Sequence, residues 1–228
     1  LLFTDPVEVI QTNRLEEVID CLKKVEAHVD SGRYAAGFIS YEASSAMDGA
    51  LQSHIPGDFP LVYFLICDSS RKIDLPQANE KDFDIGQWEP SVSWDEYERA
   101  IRKIKSHIHA GDTYQVNYTM RLRTKFMGNP WRFFLSLHTA QNVSYSAYVQ
   151  LDRYSICSVS PELFFSIKNK KITCKPMKGT VKRGLTNGED KQREQWLYHS
   201  EKNRAENVMI VDMIRNDIGT IADVSNPS

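Results

Sequence analysis

From Val143 to Lys175 the chain runs through four β-patterned segments with almost no residues to spare between them. Val143–Leu151 alternates apolar and polar, and Tyr154–Ser160 follows at once. Leu163–Ile167 and Lys171–Lys175 are joined by the hairpin turn Lys168-Asn-Lys170. A parallel crossover needs a dozen or more residues, so adjacent strands joined by connections this short argue for antiparallel sheet. With the helical segments on either side, the order predicts an α+β protein with antiparallel sheet and excludes a regular βαβ repeat.

Upstream, Leu15, Val18, Ile19, Leu22 and Val25 recur at helical spacing, with Gly32 placed as a C-terminal cap. Tyr34–Ala43 reads as a strand with Gly37 inside it, a position that marks a bulge or a close backbone approach. Leu61–Cys67 is the next strand. The polar stretch Arg71–Pro90 reads as a linker, dividing an N-terminal region, 1–90, from a main part, 91–228. That main part opens on the capping box Ser93-Trp-Asp-Glu96, and Tyr97, Ile101, Ile104 and Ile108 mark one helix face up to Gly111. Tyr114–Leu122 alternates strictly and predicts a half-buried strand with Gln115 and Asn117 on its polar face. Asn129-Pro130 starts another helix. Glu189–His199 and Lys202–Ile218 are the last two helices. The centre of the second, Val208–Ile214, is apolar nearly all round and predicts burial.

Composition narrows the function classes. The 228 residues carry a formal charge of −2, so no electrostatic footprint points to nucleic acid or a membrane surface. Leu61–Cys67 is the longest apolar run and falls far short of the ~20 residues a membrane helix needs. Cys21, Cys67, Cys157 and Cys174 form no CxxC pair and read as free thiols in a reducing, cytoplasmic setting.

Three segments place polar groups inside tightly patterned surroundings. In Gly111-Asp-Thr-Tyr-Gln-Val-Asn-Tyr118, Gln115 and Asn117 share a strand face, which can simply face solvent. Ser158-Val-Ser-Pro-Glu162 and Lys175-Pro-Met-Lys-Gly-Thr-Val-Lys-Arg-Gly184 flank the hairpin, which brings their strands side by side. A carboxylate and a lysine meeting in one pocket can do acid and nucleophile chemistry; the plain alternative is a surface ion pair. Leu185 stands where a phosphate-binding loop would need lysine, which excludes that reading. Finally, Asn203–Asp217 sets Glu206, Asp212, Arg215 and Asp217 on an apolar helix, either as surface ion pairs or, at Glu206, as a ligand for a hard cation.

Taken in order, Gly111-Asp-Thr-Tyr-Gln-Val-Asn, Ser160-Pro-Glu162, Pro176-Met-Lys-Gly-Thr180 and Arg204-Ala-Glu-Asn-Val-Met-Ile-Val-Asp-Met-Ile-Arg-Asn-Asp217 resemble the chorismate-utilising enzymes: the aminodeoxychorismate, anthranilate, isochorismate and salicylate synthases. The resemblance covers about residues 93–220; before residue 85 it is looser, best at Gly37-Phe-Ile-Ser-Tyr-Glu42. It implies an anthranilate synthase component I-like fold, antiparallel sheets with outer helices, with only part of it present. Lys178 occupies a position that is lysine in aminodeoxychorismate synthases and alanine in anthranilate synthases. Gln115 stands where isochorismate-forming members carry a water-activating lysine. Met177 replaces a more usual isoleucine, a swap that conserves volume.

By this resemblance Glu162 is the general acid and Lys178 the nucleophile. Gly179, Thr180 and Gln115 contact chorismate, and Glu206 binds Mg²⁺. The implied reaction is amination of chorismate to 4-amino-4-deoxychorismate for folate synthesis, with ammonia from a glutamine amidotransferase subunit. The alternatives are anthranilate synthesis on the route to tryptophan, and an inactive or regulatory fragment of either enzyme. The family's second acidic metal ligand and further core strands are not found in these 228 residues. The expectation is therefore that 91–228 is the N-terminal half of a chorismate-binding catalytic domain, cut at both ends, inactive and poorly stable alone.

Overall fold

The computed structural model describes residues 1–54, 57–77 and 82–222. The chain divides into two compact units, Leu1–Gln77 and Ala78–Ser228.

In the first unit, β1 (Glu8–Thr12), β2 (Tyr34–Ile39) and β3 (Val62–Cys67) form an antiparallel sheet in the order β1-β3-β2. The most apolar of the three, β3, takes the centre, where both faces are covered. Helix α1 (Val18–Asp30) lies on this sheet, and the short helix α2 (Ser44–Met47) closes the unit. Ile10, Val18, Cys21, Ala43, Leu61, Val62 and Ile66 make the core. Gly37 pairs with Phe64, and a Cβ on it would lie 1.9 Å from the Tyr63 carbonyl oxygen. Of the two alternatives, a bulge or a close approach, Gly37 makes the close approach, within an unbroken register. The strand read as Tyr34–Ala43 stops at Ile39, and Tyr41–Ala43 forms a 3₁₀ turn. Its ladder runs out there: Ile39 pairs with Val62, the first residue of β3, and the Ser40 N–H reaches Leu61 as the last bond.

The second unit is a set of two-stranded antiparallel pairs with helices against them. The stretch read as a linker contains two short strands. Strand β4 (Phe83–Ile85) pairs with β7 (Phe126–Gly128), and β5 (Glu89–Pro90) pairs with β6 (Leu122–Arg123). Polar composition hid them, because their apolar contributions are single residues such as Phe83, which stacks on Phe126 and meets Phe133 edge-on. Helix α3 (Trp94–Ala110) carries the complete capping box and ends on Gly111 at φ 81°. Helix α4 (Pro130–Gln141) is capped by Asn129 and buries Phe134 and Leu135 against β8 (Tyr145–Gln150) and β9 (Ser155–Ser160). Then come the hairpin β10 (Leu163–Lys168) and β11 (Lys171–Lys175), and helices α5 (Asn187–His199) and α6 (Glu201–Gly219).

Two expectations fail here for one reason, the lack of a partner. The alternating stretch 114–122 lies outside any strand except for Leu122 in β6, and Tyr114 is 66% exposed. Among the described residues no neighbouring strand supplies the backbone partners that a strand requires. Likewise α6 is not buried: Val208 is 59% and Met213 45% exposed, although a half-covered stripe runs through Asn203, Glu206, Ile210, Ile214 and Ile218. Asp212 pairs with Arg215 at 3.1 Å on its surface. Among the described residues no helix is long and apolar enough to cross a membrane, and the four cysteines are free. Burial pushes the Cys21, Cys67 and Cys157 thiols up.

Replacing Gly37 by alanine should destabilise the first unit by about 1–3 kcal/mol, because β2 and β3 must separate to admit the Cβ. The check is the urea midpoint together with amide exchange across β2 and β3. In the capping box, the Ser93 backbone N–H and hydroxyl hold the Glu96 carboxyl below its usual range. Its contribution is thus complete above the ordinary glutamate range and is lost as the pH falls through the lowered value. A carbon-detected NMR titration should find Glu96 below an unconstrained glutamate, and Ser93→Ala should bring it part of the way back.

Candidate functional site

The β10–β11 hairpin places the first two site residues. Asn169 and Lys170 take φ of 52° and 62°, the positive values that a two-residue type I′ turn demands. Pairing runs from Lys168↔Lys171 to Ser166↔Thr173, then shifts by a bulge to Leu163↔Lys175. Glu162 therefore enters β10 directly across from the end of β11. Its backbone is held by Ser160, whose hydroxyl accepts the Glu162 N–H at 3.1 Å. Its carboxylate Oε1 accepts the Met177 N–H at 2.9 Å. Glu162 itself is exposed, and Lys178, the next residue after Met177, is half-buried.

Gly179 comes next at φ 76°, in the left-handed region that favours glycine. A side chain there has no room: a Cβ would sit 2.9 Å from Asn203 Oδ1. Asn203 is oriented in turn, its amide donating to the Ser200 hydroxyl at 2.9 Å. Glu206 lies one turn along α6 from Asn203, on the same half-covered stripe, 3.8 Å from Lys202 Nζ. The structure therefore joins Glu162, the Lys178–Gly179 segment and the start of α6 through two direct contacts. Thr180 continues the segment and is exposed. Gln115 stands apart: it is half-buried, its carbonyl accepts from the Thr113 hydroxyl, and no hydrogen bond among the described residues ties it to this group.

Sequence reasoning missed the residues that hold the segment from behind. Asn203 opens the third polar motif, but nothing in its spacing marks it as the seat of a glycine. At the far end, the Leu185 N–H donates to Glu189 at 2.7 Å, and Thr186 caps α5 through the Glu189 N–H. The pattern Thr186-Asn-Gly-Glu189 was a visible capping signal. Asp190 accepts from the Arg183 guanidinium and the Gly184 N–H, and these hold its carboxyl below the usual carboxylate range, the guanidinium bond first. A cavity of about 540 Å³ beside this end is lined by Val181, Lys182, Arg183, Lys191 and Arg193. An apolar cavity of about 550 Å³ lies elsewhere in the unit, between Trp88, Phe126, Phe133 and Cys157. Neither is lined by Glu162, Lys178 or Glu206.

For a hard cation, this chain offers the Glu206 carboxylate. Among the described residues no three His, Cys, Asp or Glu side chains cluster as a self-sufficient metal cage. One carboxylate suits Mg²⁺, which is commonly held by one or two carboxylates with substrate and water completing its shell.

Known proteins are similar to this chain in sequence and in the arrangement of its elements. Aminodeoxychorismate synthase component 1 of Klebsiella aerogenes is 39% identical over 136 residues, 60% of this chain and 30% of that protein. Anthranilate synthase component 1 of Aquifex aeolicus is 37% identical over 143 residues, 63% of this chain and 29% of that protein. The chain thus spans about three-tenths of the length of these curated relatives. The crystal structure of anthranilate synthase component I from Streptococcus pneumoniae matches with a TM-score of 0.69 at 24% identity, over 84% of this chain and 51% of that one. At that identity the likeness establishes the fold alone: α+β, antiparallel sheets with outer helices, of which this chain carries part. Residues 69–227, more than half of the sequence, match the chorismate binding enzymes, and the chain belongs to that family.

Proposed function

We propose that the protein aminates chorismate to 4-amino-4-deoxychorismate, as component I of an aminodeoxychorismate synthase acting in the cytoplasm on the route to folate. The observation that carries this reading is the Glu162–Met177 hydrogen bond, which sets a carboxyl group beside the segment bearing Lys178. In the proposed reaction Glu162 protonates the leaving 4-hydroxyl. The free amine of Lys178 bonds to ring C2, the double bonds shift, and the C4–O bond breaks with loss of water. Ammonia then adds at C4, the double bonds shift back, and the C2–N bond to Lys178 breaks. A nucleophile of this kind divides one hard displacement into two easier ones. Gly179 lets the backbone come close to the substrate, Thr180 supplies a hydroxyl beside it, and Gln115 contacts it from the 113–121 stretch. Glu206 would hold Mg²⁺, which when bound supplies a positive charge for the substrate's carboxylate. Ammonia would come from a glutamine amidotransferase partner.

Anthranilate synthesis is the second reading, favoured by the comparable identity to the Aquifex aeolicus protein. Lys178 supports the first reading, because by family resemblance a lysine at this position separates the two subgroups. Chorismate, Mg²⁺ and ammonia supplied to the full-length protein should give aminodeoxychorismate; anthranilate as sole product would replace the first reading by the second. Lys178→Ala should lower turnover by at least about 100-fold, in line with losing a nucleophile, and leave the urea midpoint unchanged. Most of the turnover surviving would refute covalent catalysis. Glu206→Gln should raise the Mg²⁺ concentration for half-maximal activity about 10-fold or more, and calorimetric titration with Mg²⁺ should show the same loss.

A further inference from the structure

The segment Pro176–Leu185 is tied far more heavily at its outgoing end than a surface loop needs to be. Its incoming end has the Met177 N–H on Glu162, and its middle rests on Asn203. At the outgoing end, Arg193 Nη1 donates to two successive carbonyls, Lys182 at 2.7 Å and Arg183. Asp190 takes the Arg183 guanidinium, Nε at 2.7 Å, and the Gly184 N–H. Glu189 takes the Leu185 N–H at 2.7 Å. Residues 189, 190 and 193 lie within about one turn of α5, so they present a single face to residues 182–185. Gly184 admits this contact because a Cβ there would lie 2.5 Å from the Asp190 nitrogen.

Those bonds add little to global stability, since the Arg183 side chain is 89% exposed and exposed ion pairs contribute little. Their effect is geometric. The pinned carbonyls of Lys182 and Arg183 lie only a few residues beyond Lys178, so they limit where the Lys178 Cα can travel. Resting on the function proposed above, we propose that Asp190 and Arg193 are positioning residues for Lys178: α5 holds the outgoing limb of the segment so that the amine stays in register with Glu162. They touch neither acid nor nucleophile. They act through the backbone, at a position where misplacing a reacting group by about 1 Å can cost up to about 100-fold in rate.

The test uses the full-length protein carrying Asp190→Asn, Asp190→Ala or Arg193→Ala, with Arg193→Lys as the conservative variant. Lysine keeps the charge but lacks the rigid planar guanidinium that holds Nη1 on both carbonyls. Each variant is measured for urea midpoint, amide exchange at 178–185, and kcat and KM with chorismate and ammonia. The proposal expects an unchanged midpoint, exchange at 178–185 faster by about 10-fold, and kcat lowered about 10-fold or more with a smaller change in KM. Arg193→Lys should recover only part of the loss. Unchanged exchange would refute the clamp. Faster exchange with wild-type kcat would refute the positioning role. Exchange does not depend on the reaction, so it reads the clamp even if Lys178→Ala shows the proposed chemistry to be wrong.

Discussion

Asn169 and Lys170 both adopt positive φ, and that two-residue turn sets Lys168 opposite Lys171 and Ser166 opposite Thr173. One extra residue on β10 then brings Leu163 opposite Lys175. The site depends on this count. Side chains alternate along a strand, so a register slip of one residue would turn Glu162 away from the end of β11. With the register as it is, the carboxylate meets the Met177 N–H, and the chain leaving β11 starts from a fixed point.

Beyond β11 the backbone path is defined by its neighbours rather than by its own conformational preference. Gly179 accepts a positive φ and a seat on Asn203, Gly184 accepts the first turn of α5, and Lys178 is carried just ahead of the first of these contacts. Glycine makes both close approaches possible but loses more chain entropy on ordering than other residues. The side chains of α5 and α6 supply the contacts that hold it. Glu162 at a strand end, Lys178 on a loop and Glu206 on a helix are thereby linked through the Met177 N–H on Glu162 and the seat of Gly179 on the Asn203 side chain.

The same dependence on partners explains where the fold departs from its pattern. Segment 114–121 has an alternation as regular as that of β8, yet only β8 has a neighbour in register. The apolar centre of α6 has the composition of a buried helix and is only half-covered, at Met209, Ile210, Val211 and Ile214. Strand propensity and apolar composition state what a segment can pair with or bury; they do not supply the partner. Conversely, Phe83 and Glu89–Pro90 sit in polar surroundings and still form strands, because β7 and β6 offer them open edges.

Local chemistry was legible from the residues alone: the capping box at Ser93, the Asn129-Pro130 helix start, the hairpin, the close approach at Gly37, and the family through its ordered motifs. Each depends on groups within a few positions of one another or on residue types that admit few conformations. The meeting of Glu162 with Met177, the seat of Gly179 on Asn203 and the grip of Asp190 and Arg193 on the outgoing limb were decided only in three dimensions. Those contacts join elements that periodicity describes one at a time, and their geometry is set by register and by helix placement. Nothing in the spacing of Glu162, Lys178 and Glu206 along the chain states how near they stand; the hairpin register and the packing of α6 against the loop decide it.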